Sequence, residues 1–562
     1  MPIDAWHPAS LARRARAFVS EERWTFAAHE EPVLPGSPGS PDHPTARRAI
    51  YAAIAVLLGL TAGFGNALIS ANTTTLQGAL GLDPAQIAWL PTVYVMTNVS
   101  INLLMIKFRQ QFGLRPFAMI FLGLYALLTF AHLFVHGFAS AIVVRAASGA
   151  AGAAVSSLTL YYMMQVLPAK WRLKAVVLGI GVPQCAVPLA RLFSPDLLAM
   201  SQWRTLYLFE LGLALLSLAA VAWLRLPPTT RAKAFEPVDF ATFVLFSGAM
   251  ALFAAVLGLG RIVWWTNAAW IGWALIAAIP MLAAALVIES RRENPLLNVR
   301  WLASADIVRF AIVTVIARIV LSEQSYAAVG LLTLLGQNND QLQVFFLIVF
   351  AASVAGVVLS AVFLDVERLA HPVMLAIGLV AVAAWVDSHA TSLTRAPQLY
   401  VTQALIAFAA TFFLGPSLLF GMTRALQAGK GHIISFIALF GIINSIGGLG
   451  GTALLGTYQV VREKANSAAL TQGVVPTDPL VTQRIQQGGS AVARVVGDPA
   501  LARAEGAAIL SQAATREANV LAYDDVFRLV AALAGLTFLY LAFLLGRRHW
   551  RARRAAAMEA VA

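Results

Sequence analysis

Fourteen stretches of mainly apolar residues follow one another along the 562-residue chain, each near the roughly 20 residues that carry an α-helix across a bilayer. They run 50–71, 87–106, 116–136, 139–163, 174–195, 204–225, 238–259, 267–288, 305–332, 343–364, 371–389, 398–423, 432–458 and 526–546. No backbone polar group stays unpaired in lipid, so each stretch must close its hydrogen bonds within itself. The expected fold class is therefore an all-α polytopic membrane protein with fourteen transmembrane helices.

Only 12% of residues are charged, about half the share of an ordinary soluble domain. The net charge of +13 does not point to nucleic acid, because the basic residues sit between apolar segments and in the tails, as inner loops of a membrane protein require. One set of connections carries Lys107, Arg109, Arg115, Lys170, Arg172, Lys174, Arg225, Arg231, Lys233, Arg291, Arg292, Arg300, Arg368, Arg424 and Lys430, whereas the alternate short loops carry Arg204, Arg261 and Arg395. This asymmetry predicts both tails inside and an even number of spans. Nothing before Arg47 and Arg48 resembles a cleavable signal, so the first apolar segment is expected to stay in place. The one cysteine, Cys185, rules out a disulfide framework or a cysteine metal site.

Two regions and a short C-terminal tail fall outside the pattern. Residues 1–49, with EEPVLPGSPGSPDHP, read as a disordered cytoplasmic tail. Residues 459–525 read as one long outer loop with helical periodicity over its second half, and residues 547–562 as a basic cytoplasmic tail.

A charge at the bilayer centre costs at least about 2.5–3.5 kcal/mol, so charged residues inside spans mark a cavity or a pairing between helices. Arg145, in SAIVVRAASGAAGAAVSS, sits about six residues into its span, roughly 9 Å deep. It reads as a gating or proton-coupling group, with a purely structural role as the alternative. Glu210 lies about 10 Å deep, seven residues past the interfacial anchor Trp203. It is the first choice for a protonatable carrier, or else a structural partner of Arg145 or Arg191. Arg318 and Glu323, five apart, project about 140° apart around a helix and should seek partners on different helices. Glu323 is a further proton-coupling candidate; Asp387 and His389 read as a solvated span end, and Asp306 with Arg309 as a local interfacial pair. The cavity candidates Arg318, Arg191, Gln403, Gln184 and Asn72 complete the set. The excess of positive charge suggests a cavity tolerant of anionic or zwitterionic amphipathic molecules. Glycines in GAAG and IGGLGGTALLG read as close helix contacts.

The span count together with several motifs resembles the fourteen-span drug:proton antiporter branch of the major facilitator superfamily, EmrB-type exporters above all, over residues 47–546. The motifs are KFRQQFGLRPF, the Arg145 run, WRTLYLFELGLALL, ESRRENPLLNVRWL and REANVLAYDDVF. The resemblance implies two six-helix bundles, 50–225 and 305–546, flanking an additional pair at 238–288, and a cytoplasmic gate loop of Lys107, Arg109, Gly113 and Arg115. The family's acid in that loop falls near Gln110, and its first-span aspartate near Asn72. The fifth-span signature is reduced to GIGVPQCAVPLARLF. TQALIAFAATFFLGPSLL around Gln403 loosely echoes the Arg145 segment, as a six-span repeat would.

No phosphate loop is present in LQAGKGH, so ATP is not the direct driver and a proton gradient is the expected one. The function implied is a proton-driven secondary exporter of amphipathic drugs or toxic compounds in a bacterial inner membrane, working with a periplasmic HlyD-type adaptor and a TolC-type outer-membrane channel. Its partners are small amphipathic substrates, protons and the lipid bilayer, with no cofactor. A dedicated exporter of one metabolite, a siderophore or an aromatic acid, is the alternative; a non-transporting receptor on the same fold is another. No His/Asp/Glu set with metal-ligand spacing points to an enzyme.

Overall fold

The computed structural model describes residues 26–27, 30–32, 36–200, 203–429, 431–475, 477–493 and 495–559. Among these residues it is all helical. The first half contains α1 (Thr45–Ala71), the short α2 (Thr73–Leu80), α3 (Pro84–Phe112), α4 (Leu114–Ala131), α5 (Phe138–Met163), α6 (Arg172–Gly181), α7 (Ala186–Met200) and α8 (Arg204–Trp223). The middle pair is α9 (Pro237–Val263) and α10 (Ala269–Ser290). There follow α11 (Val299–Leu302), α12 (Ala305–Leu321), α13 (Val329–Leu334), α14 (Gln343–Val362), α15 (Ala370–Asp387), α16 (Ala396–Ala428), α17 (His432–Gln472), α18 (Pro479–Val492) and α19 (Pro499–Glu559).

Local chemistry sets several boundaries. Asp83 accepts from the backbone N–H groups of Ala85 and Gln86, Gln86 answers with the reciprocal bond, and Pro84 opens α3, a capping box with proline at the first position. α3 ends at Gly113, whose φ of 87° is open to glycine at little cost. Pro183 lacks a backbone donor, and the fifth span accordingly passes through a 3-10 turn, Val182–Cys185, between α6 and α7.

Among the described residues, thirteen helical segments are long and apolar enough to cross a membrane, against fourteen expected. The difference falls on the segment expected at 305–332. There α12 stops at Leu321 and a π-helical turn, Gln324–Ala328, joins it to α13. The Ser322 hydroxyl donates to the Arg318 carbonyl, the kind of side-chain bond that competes with the helix ladder.

The helices pack in two groups. α1 packs on α5, α7 and α8, and α4 on α8; α14 packs on α16, and α15 on α16 and α19. α9 lies against α3 and α17 and so touches both groups. The face bearing Lys107, Arg109 and Lys174 is here called the basic face, and the opposite one the hairpin face.

Both regions outside the spans are more ordered than the sequence suggested. Residues 36–44 pack against the basic face, with Ser37, Ser40 and His43 buried. His43 Nε2 donates to Gln165 Oε1 at 3.1 Å, Gln165 returns a bond to the Gly39 carbonyl, and the Gly39 N–H reaches the Pro228 carbonyl. The part of the expected tail at 1–25 lies outside the described residues. The expected outer loop is largely helical: α17 continues to Gln472, α19 begins at Pro499, and α18 packs on α19. The packing is close enough that a Cβ on Gly506 would lie 2.1 Å from the Ile485 carbonyl oxygen. The basic tail is also helical, as α19 runs unbroken for 61 residues to Glu559, about 92 Å at 1.5 Å per residue.

Candidate substrate cavity and buried carboxyl groups

On the basic face, α9 and α10 are tied to α3 by buried charges. Lys107 Nζ meets Asp239 Oδ2 at 2.6 Å; Arg292 meets Asp239 Oδ1 at 2.8 Å, Glu236 at 2.7 Å and Glu289 at 2.7 Å. Glu289 Oε2 also accepts from the Leu296 and Leu297 N–H groups. Burial alone would lower the pKa of Arg292, but its hydrogen bonds to Glu236, Glu289 and Asp239 outweigh that and raise it. Lys107 thus finds its carboxylate partner in Asp239 from α9, 132 residues away. Arg109 is buried between the Phe117 and Tyr161 rings, each centroid 5.1 Å from its guanidinium. Gly113 is the α3–α4 joint, and Arg115 is half-buried in the first turn of α4.

Two cavities lie between the bundles. One of about 300 Å³ has Asn102, Arg109, Ser157, Gln184 and Asn444 among its lining, towards the basic face. The other, about 870 Å³, opens towards the hairpin face and is lined from both bundles. Its charged lining residues are Arg191 and Arg261, with Asn66, Gln77 and Gln324 as amides, and among the described residues no carboxylate lines it. Arg191 stacks over Phe346 and donates to Asn339 Oδ1 at 3.4 Å; Arg261 stacks over Tyr326. Arg261 is a residue that sequence reasoning counted only as a loop charge. The basic side is sealed by apolar packing of Leu114, Tyr161 and Val177 against Leu414, Leu418 and Phe436.

The sequence candidates divide into two buried clusters behind these cavities. In the first bundle Arg145 is fully buried and donates to Leu90 O (3.4 Å), Gly65 O (2.6 Å) and Asn66 Oδ1 (2.8 Å), with its guanidinium 4.6 Å from the Tyr94 centroid. Glu210, the alternative structural partner, does not pair with it, and among the described residues Arg145 forms no ion pair. Carbonyl oxygens at the α1 and α3 crossings take its protons instead. The glycines after it allow this approach: a Cβ on Gly149 or Gly152 would fall 2.2 Å from Tyr94 atoms. Glu210 is buried, accepts from Tyr125 Oη at 2.6 Å, and its Oε2 has no partner.

In the second bundle Glu323 and Asp387 are both buried, and both accept from one group, Gln403 Nε2, at 3.0 and 2.8 Å. Gln324 in turn donates to Gln403 O and Oε1. Asp387 does not lie on a solvated face as its place near a span end suggested; it turns inward, while His389 remains exposed. Glu323 does find its partners on other helices. Arg318 lies against Gly447 and Gly448 of α17, without an ion pair among the described residues. Asn72 is spent at the α1–α2 break, donating to Leu68 O and Ser194 Oγ. Asp306 and Arg309 form the local pair expected of them, at 3.6 Å.

The two clusters repeat one arrangement. A cavity-lining amide on the first helix of the bundle (Asn66, Gln324) meets a buried side chain on the fourth (Arg145, Gln403), with sealed carboxyl groups in the same bundle.

Comparison with solved structures finds similar folds. The human organic anion transporter MFSD10 (TETRAN) aligns over 88% of this chain and 100% of its own, with TM-score 0.51 and 15% identity, a likeness of fold alone. The proton:xylose symporter XylE, bound to 6-bromo-6-deoxy-D-glucose, aligns over 87% of this chain and 95% of its own, with TM-score 0.48 and 14% identity. No curated protein matches the sequence. The sequence model of the Major Facilitator Superfamily matches residues 55–452, well over half of the chain, and with its paired helix bundles around a central cavity the protein belongs to that superfamily of membrane transporters.

Proposed function

We propose that this protein is a proton-driven secondary exporter of amphipathic compounds, of the fourteen-span EmrB type, and that it favours anionic or zwitterionic substrates. The observation that carries the reading is the cavity of about 870 Å³ shared by both bundles, lined by Arg191 and Arg261 and, among the described residues, by no carboxylate. A guanidinium with free donors binds a carboxylate strongly, and cationic compounds meet like charge there. Glu210 and Glu323 are the coupling acids, sealed from that cavity, and Arg145 fixes the first cluster. Rocking of the bundles around the site moves substrate across. The placement is a bacterial inner membrane with both ends cytoplasmic. The helical protrusion of α17, α18 and α19 is the docking element for a HlyD-type adaptor leading to a TolC-type channel. A dedicated exporter of one aromatic acid or siderophore is the second reading, favoured by the same arginine pair.

Proteoliposome flux of two probes of matched size, a naphthyl carboxylate and a naphthyl quaternary ammonium, tests this. The expected result is pH-gradient-driven transport of the carboxylate at several times the rate of the cation. Equal transport of both removes the anion preference, and no gradient-dependent transport of either removes the exporter reading.

A further inference from the structure

We propose that Glu323 and Asp387, bridged by the side-chain amide of Gln403, act as one proton-binding unit whose state is linked to the substrate cavity through Gln324. This rests on the export reading above and deepens it, because Asp387 belonged to no functional set until its position was known.

The geometry leaves little choice. Both carboxyl groups are buried, at 0% and 2% exposure, and both lean on the same nitrogen. Among the described residues Glu323 Oε2 and Asp387 Oδ1 have no hydrogen-bond partner. Among the described residues no lysine, arginine or histidine forms an ion pair with either acid. The neighbours on each packed element are neutral or turned elsewhere. From α16 come Gln403 and Thr402; on α15, His389 is exposed and its Nδ1 faces the Trp385 carbonyl. On α12, Arg318 lies against α17, and the buried acid of α19, Asp524, sits among Glu517, Asp525 and Arg528.

Two carboxylates taken out of water without a cation cost several kcal/mol each, and one amide cannot neutralise two like charges. The unit therefore holds at least one proton, and exchanges a second between a one-proton and a two-proton state as a coupled pair. Gln324 supplies the link. Its amide lines the cavity and donates to Gln403 Oε1, so a ligand group that accepts from Gln324 withdraws a donor from the amide that holds both acids. The π-helical turn beginning at Gln324 is the kind of helix irregularity frequent at functional sites.

Difference infrared spectroscopy of the full-length protein in lipid nanodiscs, titrated with pH, reads the C=O band of protonated carboxyl groups directly and needs no substrate. The expected result is a carboxyl transition that E323Q and D387N each abolish or displace, that D387E restores, and that E210Q leaves in place. The proposal is overturned if either single variant leaves the transition unchanged, or if sodium added at constant pH reproduces it, since the pair is then a metal-cation site. Flux of the carboxylate probe separates the two readings. Wild-type protein without flux but with the coupled transition ends the export reading and leaves the pair standing. Unaltered pH-dependent flux in D387N ends the pair as the coupling unit and leaves export standing.

Discussion

Lys107 on α3 and Asp239 on α9 meet at 2.6 Å across the basic face, with both side chains almost wholly withdrawn from solvent. Arg292 completes the contact from beyond α10, so the middle helix pair is held to the first bundle by charge as well as by apolar packing. Removing one partner of a buried pair leaves an uncompensated charge and costs about 3–5 kcal/mol. D239N should therefore lower the thermal midpoint of the purified protein markedly, and the swap K107D/D239K should recover part of the loss. A midpoint unchanged in D239N would show that the pair contributes nothing to holding α9.

Arg191 and Arg261 supply the positive charge of the larger cavity. A hydrogen bond to a charged group contributes about 1.5–3 kcal/mol, so R191A or R261A should raise the KM for the naphthyl carboxylate roughly ten- to hundred-fold. Transport of the matched cation should not fall with it. A parallel loss for both probes would mean that the arginines hold the cavity shape and not the substrate.

Glu210 accepts from Tyr125 at 2.6 Å, and glutamine preserves its size while removing the exchangeable proton. E210Q should flatten the pH dependence of flux while leaving the protein folded, and Y125F should do so more weakly. R145A, by contrast, strips three acceptors of their donor at a helix crossing and should destabilise the fold by about 3 kcal/mol, as seen in its thermal midpoint. If E210Q retained the full pH response, proton coupling would have to run through the second bundle alone.

Gly415 on α16 lies against Val177 of α6 on the basic side, where an added Cβ would fall 2.3 Å from Val177 Cγ1. G415A should push this seal apart. With Cys185 replaced by serine, a cysteine at Ser157, which lines the smaller cavity, should react faster with a polar maleimide in G415A than in its parent. Equal rates would show that the contact adapts without opening.

Burial lowers the pKa of His43 from 6.5, against the opposing effect of its hydrogen bond to Gln165. A base with a lowered folded value binds fewer protons when docked than when free, so docking of residues 36–44 is at full strength above pH 6.5 and weakens as pH falls from there through the folded value. Protection of the Gly39 and Ser40 amides, taken relative to the intrinsic exchange rate at each pH, should fall in mildly acidic buffer, and H43F should remove that dependence. Protection that falls on raising the pH instead would reverse the sign and the assignment.

The spans were legible because lipid imposes a length and an apolar content that few other environments demand, and α1, α14 and α16 fall close to where hydropathy places them. Glu210 and Arg145 stood out for the same reason, each a costly charge in an apolar run. Asp387 did not, because a residue at a span end looks the same whether its helix turns it to water or to Gln403, and that rotation is set by packing against α16 and α19. The answer to Lys107 was hidden likewise, since Asp239 lies 132 residues away and no local spacing joins them. The interruption after Leu321 escaped notice because a serine is unremarkable in a span until the close approach of Gly451 to Ser322 is known.

The unbroken course of α19 from Pro499 to Glu559 has a mechanical meaning. A continuous hydrogen-bonded helix is stiff along its axis, so a load on its protruding end is delivered to the far face without a hinge to absorb it. Residues 499–525 and the arginines after Gly546 are thus two ends of one strut, and whatever grips the first end moves the second.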